Sequence, residues 1–270
     1  MKVLVIYGQK PGWHNFENEQ RLLPFLKNKI QSIKIFTKVH QLVGYLQKEG
    51  AHHTNYIMPL DESHMLELYN ANIPAMMPRK DIINAFSNKV LFAQYAQQQG
   101  FSHMIPKTYY APQQSDALVV VKPPCGGASC GVYVSPLKNV QPHLFHSSVV
   151  QEYIDTNMEF AGYFVAKNGS VLRPCLAYLR VYPKVPYIKA HDDKTVQNRI
   201  MMDPIYVDVI DQFIKPTGYT GTFCVDFKLN KQGVLIILEI NPRLGGSLSY
   251  PQNGNDAGTI ISQLIDVFSN

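Results

Sequence analysis

The sequence predicts a mixed α/β protein, built of α+β subdomains behind a small N-terminal α/β region. Three observations lead there. The N-terminal part alternates short apolar runs with amphipathic stretches. The middle is strand-rich and broken by glycine turns. The C-terminal part returns to longer apolar runs and two helical stretches.

Taken in order, residues 2–7 read as a buried strand and Phe16–Lys29 as an amphipathic helix. Ser32–Thr37 and Val39–Gln47 repeat that pair, and Tyr56–Pro59 is a short third strand. Such β-α-β-α-β alternation argues for a small parallel sheet. The segment Gly8-Gln-Lys-Pro-Gly12 lacks the Gly-x-Gly-x-x-Gly spacing of a dinucleotide site. It reads as a loop at the carboxyl end of strand one, where α/β sheets hold ligands. Ser87–Gln99 is helical and stopped by Gly100, and Pro106 to Pro112 is an extended connection. Leu118 to about Val165 forms the strand-rich part, expected as a small lid. Pro204–Lys215 and Gly258–Phe268 are helices, the first capped by Asp203 with Pro204 behind it.

Of 270 residues, 46% are hydrophobic and 17% charged, enough for a packed core. The net charge of +5 suits an anionic ligand, but Lys and Arg are scattered, so nucleic acid is not implied. No apolar run approaches the roughly 20 residues of a membrane span. The apolar run after Lys2 is too short for a signal segment of about 7–15 residues. The cysteines at 125, 130, 175 and 224 show no metal-ligand spacing and read as reduced thiols of a cytoplasmic protein.

The most informative stretch is Leu235–Ser247, Leu-Ile-Ile-Leu-Glu-Ile-Asn-Pro-Arg-Leu-Gly-Gly-Ser. Glu239 and Asn241 are two residues apart in a strand and so leave on one face. An acid and an amide oxygen suit a hard cation such as Mg²⁺. Pro242 ends the ladder, and Arg243 offers a fork of donors for phosphate oxygens. Asp226 lies thirteen residues upstream, and the turn Asn230-Lys-Gln-Gly233 joins the two runs. A hairpin would bring Asp226 beside Glu239 as a third oxygen ligand.

Other segments carry weaker signals. Lys122 ends a Val-Val-Val run ahead of Gly126-Gly-Ala-Ser-Cys-Gly131, whose backbone N–H groups and Ser129 hydroxyl could approach phosphate. Taken alone, the loop would be an ordinary hairpin turn and Lys122 a surface lysine. Gln151-Glu152-Tyr153-Ile154 reads as a connector between lid and body, and Glu159 follows it. Arg180 ends a strand before the long polar loop Pro183–Asn198. Lys189 and His191 in that loop either meet substrate or are solvated, whereas Lys184, Lys194 and Arg199 read as surface charges.

These segments together resemble the ATP-grasp superfamily, in the version found in carbamoyl-phosphate-synthase-like ligases. Glu239–Ser247 resembles its metal-binding strand, and Val120–Val132 its nucleotide lysine and flexible glycine loop. Val150–Ile154 with Glu159 resembles its adenine hinge and ribose carboxylate, and Asn88-Lys89 its first nucleotide lysine. The four occur in the family's order over roughly residues 80–270. The resemblance implies an N-terminal region 1–85 and an ATP-grasp domain 86–270, with a lid over about 116–165 and a metal-binding part over about 166–270. It implies that Lys89, Lys122, Gly126, Gly127, Ser129, Gln151, Glu152, Tyr153, Ile154 and Glu159 bind ATP. Asp226, Glu239 and Asn241 would hold one or two Mg²⁺, with Mn²⁺ as the substitute the site allows. Arg180, Arg243 and Lys189 would act on the reacting groups.

The implied activity is an ADP-forming carboxylate–amine ligase with small-molecule substrates, compatible with a homodimer. The alternative is a non-catalytic ATP-binding switch or scaffold. Two features depart from the family pattern. Cys130 stands where many ligases carry a basic residue, and the N-terminal region is short.

Overall fold

The computed structural model describes residues 1–127, 129–183, 185–187 and 197–269. The chain opens with β1 (Lys2–Tyr7), α1 (Glu19–Leu26), β2 (Ser32–Phe36), α2 (Val39–Gln47), β3 (Thr54–Pro59) and α3 (Glu62–Asn70). The three strands form a parallel sheet in the order β2-β1-β3. After the exposed Lys2, β1 is a run of buried, largely apolar side chains because both its faces are covered. Val3, Val5 and Tyr7 face α2 and α3, while Leu4 and Ile6 share a core with α1. The helix expected over Phe16–Lys29 is shorter than its periodicity suggests. A single turn of tighter helix spans His14–Phe16, and α1 begins only after Asn18, whose side chain accepts from Gln20 N–H.

Next come α4 (Lys80–Ser87), a helix not expected from the sequence, and α5 (Lys89–Gln98), the helix expected over Ser87–Gln99. Asn88 between them is extended, and its Oδ1 accepts from Val90 and Leu91 N–H at 2.9 and 3.2 Å. That cap separates the helices and sets Lys89 at the first turn of α5. β4 (Thr108–Tyr109), β5 (Leu118–Lys122), β6 (Tyr133–Pro136), α6 (Leu144–Ser147) and β7 (Val149–Glu152) follow. The strands form an antiparallel sheet, β4-β7-β5-β6, over a small core of Val119, Val121, Phe145 and Val150.

The remaining elements are β8 (Met158–Lys167), β9 (Ser170–Val171), β10 (Leu176–Val181), β11 (Gln197–Met201), α7 (Pro204–Ile214), β12 (Gly221–Leu229), β13 (Leu235–Asn241) and α8 (Gly254–Phe268). They build the large antiparallel sheet β11-β10-β8-β12-β13, with β9 beside β8. β8, within the range expected for the lid, is therefore hydrogen-bonded into the large sheet. Asp203 caps α7 as expected, accepting from Ile205 N–H at 3.0 Å. One face of this sheet packs on α4, α5 and α7 through Phe86, Phe92, Ile210 and Phe213. Its other face, with Tyr163 and Tyr178, meets α8, which also packs against α1 and the N-terminal sheet. That shared core fixes the loop after β1 against the large sheet. Arg199 is exposed, as expected of a surface charge, and its Nε also donates to the buried Asp256 at 2.8 Å. All four cysteines are free thiols. No helix among the described residues is long and apolar enough to cross a membrane.

Gly8 ends β1 with φ +115° and donates to Phe36 C=O at 2.8 Å. A Cβ there would lie 2.2 Å from His64 Nδ1. Gly8→Ala is therefore expected to lower stability by about 2 kcal/mol through backbone strain and overpacking. Denaturant unfolding checks this; a loss below about 0.5 kcal/mol would contradict the close approach.

Candidate functional site

The hairpin β12–β13 places its polar residues by register. Asp226 pairs with Glu239, and Cys224 with Asn241, so the two carboxylates stand opposite each other. The turn is closed by Asn230, whose carbonyl accepts from Gly233 N–H at 2.9 Å. Asn241 Nδ2 donates to Glu239 Oε1 at 3.2 Å, and Arg243 donates to Asn241 Oδ1 at 3.0 Å. Lys89 Nζ lies 3.5 Å from Glu239 and donates to Gly126 C=O at 2.9 Å, joining β13 to the glycine loop.

Sheet register also builds the second charged group. Arg180 on β10 is directly opposite Glu159 on β8, and Nη1 donates to Glu159 Oε1 at 3.1 Å. Across β8, Asp226 pairs with Ala161, a side chain small enough for Arg180 to pass over and come within 3.8 Å of Asp226. Arg180 also donates to Ser247 Oγ at 3.4 Å, yet its buried Nε has no partner.

Lys122 lies at the end of β5. It donates to Gln151 Oε1 at 3.0 Å and Leu238 C=O at 3.5 Å. Burial pushes its ammonium down to about 8, against the pull of Glu239. Burial also pushes the Asp226 carboxyl up to about 7; Arg180 opposes that shift and the Glu239 charge adds to it. Burial acts on Glu239 in the same sense, but Lys89, the Asn241 amide and Lys122 outweigh it and hold that carboxyl below its usual range.

All these groups line one cavity of about 620 Å³. Of the expected site residues, Lys89, Lys122, Gly126, Gly127, Ser129, Glu152, Tyr153, Ile154, Glu159, Arg180, Asp226, Glu239, Asn241 and Arg243 border it. Gln151 does not. It is buried between Lys122 and Thr108, to which its Nε2 donates at 3.2 Å, so it holds the lysine rather than facing the cavity. Lys189, His191, Lys184 and Lys194 lie outside the described residues.

The cavity also has walls not singled out from the sequence. Lys228 Nζ donates to the carbonyls of Ile154 and Thr156 at 3.3 and 2.9 Å and sits 5.1 Å from the Tyr153 ring centre. The Ile154 carbonyl thus accepts one bond from within the protein. The signal for Lys228 was its period-two spacing from Asp226. Trp13 and His14 come from just beyond the Gly8–Gly12 loop, and Ser249 and Tyr250 from the segment after Arg243. Trp13 lies between Lys10 and Arg243, at 4.6 and 5.9 Å from its ring centre.

Among the described residues no group of three or more His, Cys, Asp or Glu side chains is arranged to hold a metal alone. Two carboxylates and an amide oxygen nevertheless fit Mg²⁺, which takes few protein ligands and completes its shell with water and phosphate oxygens. The crowding of Asp226 against Glu239 fits a site that receives positive charge.

The ATP-grasp domain family matches residues 86–247, more than half of the chain. This chain belongs to the ATP-grasp family. Solved structures agree on the fold. The biotin carboxylase of Campylobacter jejuni superposes with a TM-score of 0.65 at 14% identity, over 98% of this chain and 70% of its own. The L-amino acid ligase of Bacillus licheniformis gives 0.62 at 16%, over 92% and 68%. The D-alanine–D-alanine ligase of Bacillus anthracis gives 0.61 at 17%, over 98% and 95%. No curated protein sequence matches the chain.

Asp226 generates a stability prediction. Its carboxyl is raised from 3.8 to about 7 in the folded chain, so its stabilising protonation is complete below about 4 and lost as pH rises through about 7. Asp226→Asn should therefore stabilise the metal-free protein by about 1 kcal/mol or more at pH 8, and not below pH 4. Thermal melts across that pH range in chelator measure it; equal melting of the two proteins at pH 8 would refute it.

Proposed function

We propose that this protein is an ATP-dependent ligase that joins a small-molecule carboxylate to an amine through an acylphosphate, releasing ADP and phosphate. The observation that carries this is the convergence of two lysines, two arginines and three oxygen donors on one cavity closed by the N-terminal region. Membership of the ATP-grasp family and the ligases among its structural neighbours support it.

Lys89, Lys122 and the glycine loop would bind the phosphates, and the connector Glu152–Ile154 with Glu159 the nucleoside. Asp226, Glu239 and Asn241 would hold Mg²⁺, which when bound withdraws charge from the transferring phosphoryl group. Arg180 would stabilise charge on that group, and Arg243 would bind the acid. Lys189 retains the role the family resemblance implies for it. The enzyme's contribution is placement and charge stabilisation, since phosphoryl transfer asks little covalent chemistry of a protein. In this reading the four-stranded sheet acts as a lid that excludes water from the acylphosphate.

The test needs no knowledge of the amine. A library of amino and hydroxy acids is incubated with MgATP and hydroxylamine, which traps an activated acid as its hydroxamate. One acid should give ADP, phosphate and a matching hydroxamate. AMP would refute γ-phosphoryl transfer, and ATP binding without acid-dependent ADP would favour a switch or scaffold. Glu239→Gln should lower that turnover by at least about 100-fold while leaving the protein folded. Near-normal turnover in that variant would remove Glu239 from the metal site.

A further inference from the structure

An amine acceptor poses a requirement that phosphoryl transfer does not. Near neutral pH an aliphatic amine is mostly protonated, since its pKa is about 8 or higher, and an ammonium has no lone pair for attack. A group at the cavity must take its proton. Lys89, Lys122, Arg180 and Arg243 are the cations of the phosphate and acid sites, Asp226 and Glu239 are the proposed metal ligands, Glu159 is paired to Arg180, Glu152 belongs to the proposed nucleoside connector, and Lys228 donates to the carbonyls of Ile154 and Thr156. Among the described residues bordering the cavity, the one imidazole is His14.

The setting of His14 is that of an oriented base. Its Nδ1 lies 3.1 Å from Glu17 Oε2, and the other oxygen of that carboxylate accepts from Gly12 N–H at 3.1 Å. Glu17 thus clamps the ring and the preceding backbone together. A carboxylate can only accept, so Nδ1 carries the hydrogen and Nε2 keeps its lone pair. The turn itself is anchored. Asn15 is buried and donates to Leu248 and Tyr250 C=O at 2.9 and 2.6 Å. Phe16 lies in the core, and Trp13 lies near Gly246. Glu17 meets His14 from its own turn, Lys10 and Arg243 lie about the neighbouring Trp13 ring, and Tyr250 from the segment after β13 lines the same cavity. A half-exposed His–Glu pair contributes only about 0.2–1 kcal/mol to stability. Fold stability alone leaves unexplained why the pair stands on an anchored turn at the cavity.

We propose that His14 is the general base for the amine and that Glu17 is its positioning residue. This rests on the ligase reading above. The ammonium gives one proton to His14 Nε2. The freed nitrogen pair forms the bond to the acyl carbon, and the acyl C–O bond breaks with its electrons on phosphate. Phosphate takes up the second N–H proton, leaving the amide, hydrogen phosphate and an imidazolium.

Hydroxylamine is already uncharged at neutral pH and separates the two halves of the reaction. His14→Gln should keep hydroxamate formation within about threefold of the wild type, which also shows that it folds. Amide formation at pH 7, with the amino acid giving the fastest wild-type rate from an amine panel, should fall about 100-fold. It should recover as pH rises toward the amine's own pKa. Glu17→Gln should lower kcat for amide formation about tenfold at pH 7 while KM for the amine and hydroxamate formation stay within about twofold, because the ring loses its orienting partner but no contact to substrate. A merely structural role would move amide and hydroxamate formation together. Amide formation by His14→Gln within twofold of wild type at pH 7, or an equal loss of hydroxamate and amide, would overturn the proposal. A wild-type protein without acid-dependent ADP would overturn the ligase reading and this inference with it, an outcome read before any variant is made.

Discussion

The pairing of Asp226 with Glu239 is the constraint around which the rest of this molecule is arranged. Like charges directly opposite across two strands destabilise a sheet. The surrounding groups read as responses to that placement. Lys89 reaches Glu239 from a helix whose start is fixed by the Asn88 cap, Asn241 donates to it from its own strand, and Arg180 approaches Asp226 across β8. A hydrophobic pair at the same register would make a more stable hairpin. Keeping two acids there trades stability for a place where a cation and anionic oxygens can meet.

The rest of the fold converges on that hairpin. The large sheet holds Glu159, Arg180, Asp226 and Glu239 on neighbouring strands, so their relative positions depend on backbone ladders rather than on loops. The small sheet adds Lys122 and the glycine loop, and reaches the large one through the connector after β7. The N-terminal sheet enters through a core shared with α8, which carries the turn bearing Trp13 and His14 to the segment following Arg243. Side chains from all three sheets therefore meet in one cavity.

How much of this was legible depended on range. The hairpin could be read because its turn is short and a strand has period two; once Gly233 closes the turn, Asp226 falls beside Glu239. The β-α-β-α-β order at the N-terminus was equally local. α5 was legible from its apolar period and its Gly100 stop, whereas α4, just before it, was not read as a helix. The place of β8 in the large sheet follows from pairing with β10 and β12, which no local pattern encodes. Gln151 stood in a recognisable segment, but its burial under Lys122 depends on the distant Thr108. His14 and Trp13 lay just past the loop that, as read, follows the carboxyl end of strand one, and what draws them inward is Asn15 bonding to carbonyls more than 230 residues away.

Trp13 is the only tryptophan in 270 residues. It sits at the cavity wall between the charges of Lys10 and Arg243, beside the segment that follows β13. Indole emission is sensitive to nearby charge and to water, and no second indole dilutes the signal. The protein thus carries a built-in optical reporter at the meeting point of its N-terminal sheet and its cleft, and the colour of its fluorescence follows what enters there.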